Sequence, residues 1–176
     1  MKPLLIIALL TLAQTVQAEP IFMYNYERHV GISTDEHIDT SIDTFRIIDQ
    51  RRQERGLEPI NFDPRVFGAL YLLATEYSVT MATANKMQHG FPKSPLRYYL
   101  NLFDLQSFPA WEYNLVELIA WGPIPNYWTS SRMARVFDNS PDHSTWLYHE
   151  DIEHIGWGYA IRHNVMWMTA YLLVRK

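Results

Sequence analysis

The chain has 176 residues, 15 of them Lys or Arg and 19 Asp or Glu, for a formal net charge of -4. That length suits one domain with a real core, and an acidic balance is the wrong sign for a nucleic-acid partner. There is no cysteine; disulfide staples and thiolate zinc sites are excluded, and packing, with or without a bound ligand or metal, must hold the fold.

The chain opens with a charged start at Lys2, an apolar run from Leu4 to Ala13, and small residues at Val16 and Ala18. A run of about a dozen residues falls short of the roughly 20 that cross a bilayer. Residues 1–18 therefore read as a cleaved export signal, and the mature protein as secreted or periplasmic, with no transmembrane segment. Residues 19–38 read as an irregular N-terminal arm of open role, and residues 39–176 as the domain.

Ser33 and Glu36 match a capping box, after which Ile38, Ile42, Phe45 and Ile48 recur at helical spacing up to Gly56, placed to end the helix. Asp63-Pro64 pairs an N-cap with proline at the first helical position, and Phe67, Leu70, Leu73, Ala74, Tyr77 and Met81 form the apolar stripe of a second helix. From Asn85 to Ala110 the sequence is broken by Gly90, Pro92, Pro95 and Pro109, with a short helical turn at Leu96 to Leu102. Tyr113 to Trp121 reads as a strand ended by Gly122-Pro123. Period two puts Tyr113, Leu115, Glu117 and Ile119 on one of its faces, so a carboxylate stands in an apolar row. Asn126 to Phe137 reads as helix, Ser140-Pro141 as its break. Strands near Ile152 to Ile161 and Val165 to Val174 then turn at His163-Asn164. Helices first and a hairpin last describe an α+β layered domain.

Several motifs fail on spacing. His149-Glu150 and His154 are one residue too far apart for two zinc ligands on one helical face. Ser140, Asp142 and His143 are sequence neighbours without the Gly-x-Ser-x-Gly elbow. Gly156-Trp157-Gly158 is too short for a dinucleotide fingerprint and fits a tight strand position. Three residues could converge: His89 in a loop, Glu117 on its strand and His143 beyond Ser140-Pro141. Each also has a plainer account, as a solvated histidine, a carboxylate paired with an arginine, and a capping side chain.

Asp49-x-x-Arg52-x-x-x-Gly56-Leu57-x-Pro59, then His89, Glu117-Leu118-Ile119-Ala120, Ser140-Pro141-x-His143 and Ile155-Gly156-x-Gly158 together resemble the CAP superfamily, the SCP-domain proteins that include cysteine-rich secretory proteins, antigen 5 and pathogenesis-related 1 proteins. The resemblance runs from about Asp39 to the C-terminus and is strongest to the cysteine-free exported bacterial branch. It implies a three-layer α-β-α sandwich with a central antiparallel sheet, and a cleft lined by two histidines and two acids. His89, Glu117 and His143 match three of those positions. The fourth, an acid three residues after a Trp in other branches, is Ser140, three after Phe137.

Two imidazoles and a carboxylate suit a divalent ion such as zinc, with His89 and His143 as ligands. The expected function is a secreted binding module for a lipid, an envelope polymer or a protein partner, with Trp111, Trp121, Trp128, Tyr98 and Tyr99 able to stack on sugar or pack on lipid. The alternative is a metal-dependent hydrolase of envelope peptide, lipid or glycan, with Glu117 as catalytic base. The absent second acid favours binding over catalysis.

Overall fold

The first helix, α1 (Thr34–Glu54), buries Ile42, Phe45 and Ile48, the positions its sequence spacing marks. It takes in residues 34–38, so its N-terminal turn, with His37 fully buried, belongs to the domain. Gly56 closes it at φ 78°: the Gly56 amide donates to the Gln53 carbonyl at 2.9 Å and the Leu57 amide to the Arg52 carbonyl at 3.1 Å. That is the two-bond left-handed stop for which glycine is suited. The computed structural model describes residues 34–90, 95–123 and 130–176. The segment read as an export signal, Ser33, Trp128 and most of the arm lie outside those residues.

Helix α2 (Pro64–Ala84) starts as its sequence dictates, with the Asp63 carboxylate accepting from the Arg65 amide at 2.8 Å and Pro64 in the first turn. Asn85 ends it in the left-handed region, and the Arg162 guanidinium donates to the last carbonyls, Ala82 and Thr83. After α3 (Leu96–Leu102) and a 3-10 turn at Ala110–Glu112 comes β1 (Tyr113–Pro123), then α4 (Ser130–Asp138), α5 (Pro141–Leu147), β2 (Ile152–Arg162) and β3 (Val165–Arg175). The β2–β3 turn is two residues long, with His163 and Asn164 both at positive φ, 51° and 59°, the conformation that matches strand twist in a tight hairpin.

The three strands form one antiparallel sheet in the order β1-β3-β2. Thr169 and Gly158 face α2, where the Ser78 hydroxyl bonds both the Gly158 carbonyl and the Thr169 hydroxyl. Trp157 faces the other way and meets Phe137 of α4 edge-on at 5.0 Å, and His37 of α1 stacks on Tyr159. Helices therefore cover both faces, giving the expected α+β sandwich.

The glycine pair in β2 has a steric reason. A Cβ on Gly156 would lie 2.4 Å from Leu70 Cβ, and one on Gly158 would lie 2.3 Å from the Thr75 amide nitrogen. Helix α2 is pressed directly onto β2 at those two points, as the tight-strand reading of Gly156-Trp157-Gly158 requires. Its contacts with the sheet fall chiefly on β2 and β3, so β1 is the strand that lies at the margin of the helix.

The chain beyond Ser140-Pro141 differs from the sequence reading. The pair does not only break α4: Ser140 is the N-cap and Pro141 the first residue of α5, so His143 is a helical residue.

Candidate cleft at the margin of the sheet

Glu117 is the inward carboxylate of β1. Its neighbours across the sheet are Tyr171 of β3 and then Gly156 of β2, and its side chain is 12% exposed. One carboxylate oxygen, Oε1, is 2.8 Å from His89 Nδ1, and the other accepts from the Tyr171 hydroxyl. His89 itself is largely solvent-facing, with 64% of its side chain exposed.

The loop that carries His89 is tethered from below. The Tyr77 hydroxyl of α2 donates to the Gln88 carbonyl at 3.0 Å, and the Tyr77 ring meets Tyr171 edge-on, 6.2 Å between centroids. Tyr77 therefore holds the backbone next to His89 while Tyr171 holds the carboxylate that His89 touches. Burial first, then the bond to Glu117 and its negative charge, push the Tyr171 phenol above its ordinary value and keep it a proton donor. The charge of Glu76 adds to that shift. Glu76 comes from α2 and accepts from the Tyr99 hydroxyl at 2.5 Å, which puts a second acid within electrostatic reach of Tyr171. Tyr77, Tyr171 and Glu76 were all missed. Tyr77 was read only as part of an apolar stripe, and the single available signal for Tyr171 was its place opposite Glu117 once register is known.

His143 approaches from α5. Its ring lies against Phe137 at 5.1 Å and a 45° tilt, and its buried Nδ1 has no hydrogen-bond partner among the described residues. Burial lowers its pKa; Asp142 opposes the shift and the charge of His89 adds to it. His143 is thus within electrostatic reach of His89, and the two imidazoles differ in kind: one exposed and bonded to a carboxylate, one desolvated and held neutral. Ser140 stands at the start of α5, where its side chain makes no capping bond.

Arg52, part of the motif that opened the resemblance, is fully buried and fastens the far end of the same short helix. Its Nη1 donates to the Leu147 and His149 carbonyls at 2.8 and 2.9 Å. The two histidines whose spacing fails for zinc have separate partners. His154 is buried with Nδ1 on the Asn61 carbonyl, while His149 stacks on Trp146.

Among the described residues, no group of three or more His, Asp or Glu side chains is placed to hold a metal ion. Glu117 is engaged by His89 and Tyr171, so a metal here would draw on the two imidazoles, short of the three protein ligands of a catalytic zinc site. The aromatic residues divide. Tyr99, Trp157 and Trp167 are buried, whereas Tyr98, Trp111, Trp121 and Trp146 are exposed, and Trp121 lies flat on Trp167 at 5.8 Å. No described helix is long and apolar enough to cross a membrane.

No protein-family model and no curated protein matches the sequence. Solved structures do. An outer surface protein of Borrelia burgdorferi superposes with a TM-score of 0.57 at 20% identity, over 82% of this chain and 97% of its own. An extracellular SCP-domain protein of Bacillus anthracis superposes with a TM-score of 0.53 at 17% identity, over 82% of this chain and 44% of its own, so this chain spans less than half of that protein. At these identities the likeness is one of fold, and the fold is that of the SCP, or CAP, domain.

Proposed function

We propose that this chain, with its SCP fold, is an exported ligand-binding module whose cleft is built on His89, Glu117 and His143. The observation that carries this reading is the engagement of Glu117: with one oxygen on His89 and the other on Tyr171, the carboxylate is an organising group and not a base waiting for water. Exposed Trp111, Trp121 and Tyr98 add apolar surface suited to a lipid, an envelope polymer or a protein partner. The export signal in the sequence, and fold neighbours described as outer-surface and extracellular proteins, support a location outside the cytoplasm.

A metal-dependent hydrolase is the second reading, and two observations favour it. His89 has one ring nitrogen fixed by a carboxylate, the arrangement that orients metal-ligating imidazoles, and His143 is held neutral as a ligand must be. A divalent ion would rest on His89 and His143, with Glu117 behind His89. Two protein donors do not make the three-ligand centre that hydrolysis uses.

Incubating the mature protein with phospholipid vesicles, peptidoglycan and casein, with and without chelator, separates the readings. Retention on one of them without turnover, weakened at least tenfold in His143→Ala and Glu117→Gln, is the expected result. Retention unchanged in both variants sinks the cleft as the binding site, and turnover that chelator abolishes replaces binding with hydrolysis.

A further inference from the structure

Trp121 stands on the same face of β1 as Glu117, four residues further along the strand and so about 13 Å away. Register fixes that face. Glu117 is opposite Tyr171, Ile119 opposite Thr169 and Trp121 opposite Trp167, and the Thr169 hydroxyl meets Ser78 of α2. All three β1 positions therefore look towards the α2 side of the sheet. Trp167 is 4% exposed and Trp121 52%, and their indoles are stacked, 5.8 Å between centroids and 18° between planes. A buried ring thus backs one face of Trp121, and the side chain offers solvent a flat aromatic platform that is held in place.

The chain that carries His89 comes to the same stretch. Arg162 donates to the last carbonyls of α2, Ala82 and Thr83, which brings the end of that helix to the end of the sheet where Arg162 pairs Val165. Trp121 belongs to that end too, since Pro123 is the β1 partner of Val165. From there the chain returns to the level of Glu117, where His89 Nδ1 lies 2.8 Å from Oε1. An ionised carboxylate only accepts, so Nδ1 carries the hydrogen and Nε2 of the neutral ring is an acceptor, on a side chain 64% exposed. The margin therefore presents a flat aromatic face at one point and, about 13 Å along the strand, an acceptor oriented by a carboxylate.

Those two features suit a ligand with a flat apolar face and with donors spaced along its length. A chain of pyranose rings has both: the C–H face of one ring packs on an indole, and the hydroxyls of another donate. An acyl chain matches less well. The exposed apolar residues of this face of β1, Leu115 and Trp121, are separated by the His89–Glu117 pair, and an alkyl chain laid across that pair would desolvate polar groups and return no hydrogen bond. We propose that the margin is a glycan-binding groove, with Trp121 as the platform on which a sugar ring stacks and His89 Nε2 as the acceptor for a hydroxyl further along the same saccharide. The assignment names the ligand class of the cleft proposed above and rests on that reading.

Calorimetric titration of the whole mature protein with the soluble N-acetylglucosamine tetramer, a β-linked pyranose chain, tests the groove. Chelator is present throughout, and the tetramer is taken to about 10 mM, where even a complex with a dissociation constant of ~1 mM forms. Trp121→Leu keeps apolar volume over Trp167 but has no flat face, and should weaken binding at least tenfold, as should His89→Ala. Trp121→Tyr keeps an aromatic face and should bind within a few-fold of the wild type. Equal affinity in Trp121→Leu and Trp121→Tyr overturns the platform, and unchanged affinity in His89→Ala overturns the acceptor. Should Trp121→Leu fail to fold, Trp121→Tyr and His89→Ala decide: the groove stands only if the first keeps the tetramer and the second loses it. No binding of the tetramer overturns the glycan assignment, and phosphatidylglycerol vesicles, peptidoglycan and casein run in parallel then show how far the failure extends. Vesicles retained by the wild type and released by Glu117→Gln leave the cleft standing as a lipid site, whereas retention of none of the three takes the cleft reading down as well.

Discussion

Helix α2 meets the sheet in two different ways. Over β2 it is so close that the strand has room only for glycine at 156 and 158, and the polar groups between them are joined by the Ser78 hydroxyl. Towards β1 the helix has run out, and the same sheet face carries Glu117, exposed Leu115 and exposed Trp121. One face of one sheet thus holds a zone of closest packing and, two strands away, an open margin with a carboxylate in it. The closely packed part supplies rigidity, which is how side chains at the open margin can be held in place without being fully buried.

The harshest way to break this comparison is to thicken the closed side. Gly158→Val puts a branched side chain where even a Cβ lies 2.3 Å from the Thr75 backbone, and overpacking with no flexible neighbour to give way should cost about 3 kcal/mol. A urea midpoint close to the wild type would show that α2 slides on the sheet and is not pinned to it. Tyr171→Phe tests the boundary between the two zones. It removes the hydroxyl that donates to the Glu117 carboxylate, and losing a buried bond to a charged acceptor should cost about 2 kcal/mol. Glu117→Gln made together with Tyr171→Phe should then cost less than the two single losses combined, since both remove one interaction.

Much of the closed side was legible in the sequence. The Asp63-Pro64 start of α2, the Gly56 stop of α1, the His163-Asn164 hairpin and the tight Gly-x-Gly strand each depend on residues adjacent in the chain, and local rules reach that far. Ser140-Pro141 carries the same N-cap and proline signature as Asp63-Pro64, but without a long apolar stripe behind it the pair reads as a break. The helix it opens is seven residues long and is held by Arg52 from another element. The margin was legible only in part. His89, Glu117 and His143 were visible as reactive residue types in a familiar order, whereas Tyr171, Tyr77 and Glu76 owe their roles to strand register and to the crossing of α2, which no local pattern encodes.

A smaller effect separates the margin by pH. His143 is desolvated and its pKa lies below the ordinary 6.5, so the unfolded chain takes up its proton first. The contribution to stability is whole above pH 6.5 and declines as pH falls below it. His143→Gln should flatten that decline in urea midpoints measured between pH 7 and 5, by less than Tyr171→Phe shifts them at neutral pH. An identical pH profile in the variant would mean that the ring is hydrated and that the cleft is wetter than its Phe137 wall suggests.

The least destabilising change should be the most informative. His89 is mostly exposed and sits on a loop already tethered through Tyr77 and Gln88. His89→Ala should therefore cost no more than a surface ion pair, about 0.5 kcal/mol. Yet it strips the solvent-facing half of the His89–Glu117 pair and leaves the carboxylate with Tyr171. If the margin is where the ligand binds, retention on the ligand should fall at least tenfold while the urea midpoint hardly moves, the reverse of Gly158→Val. A variant that loses stability and keeps its ligand would make His89 a clamp for the loop and move the binding surface elsewhere, with exposed Trp121 on its Trp167 backing the next position to substitute.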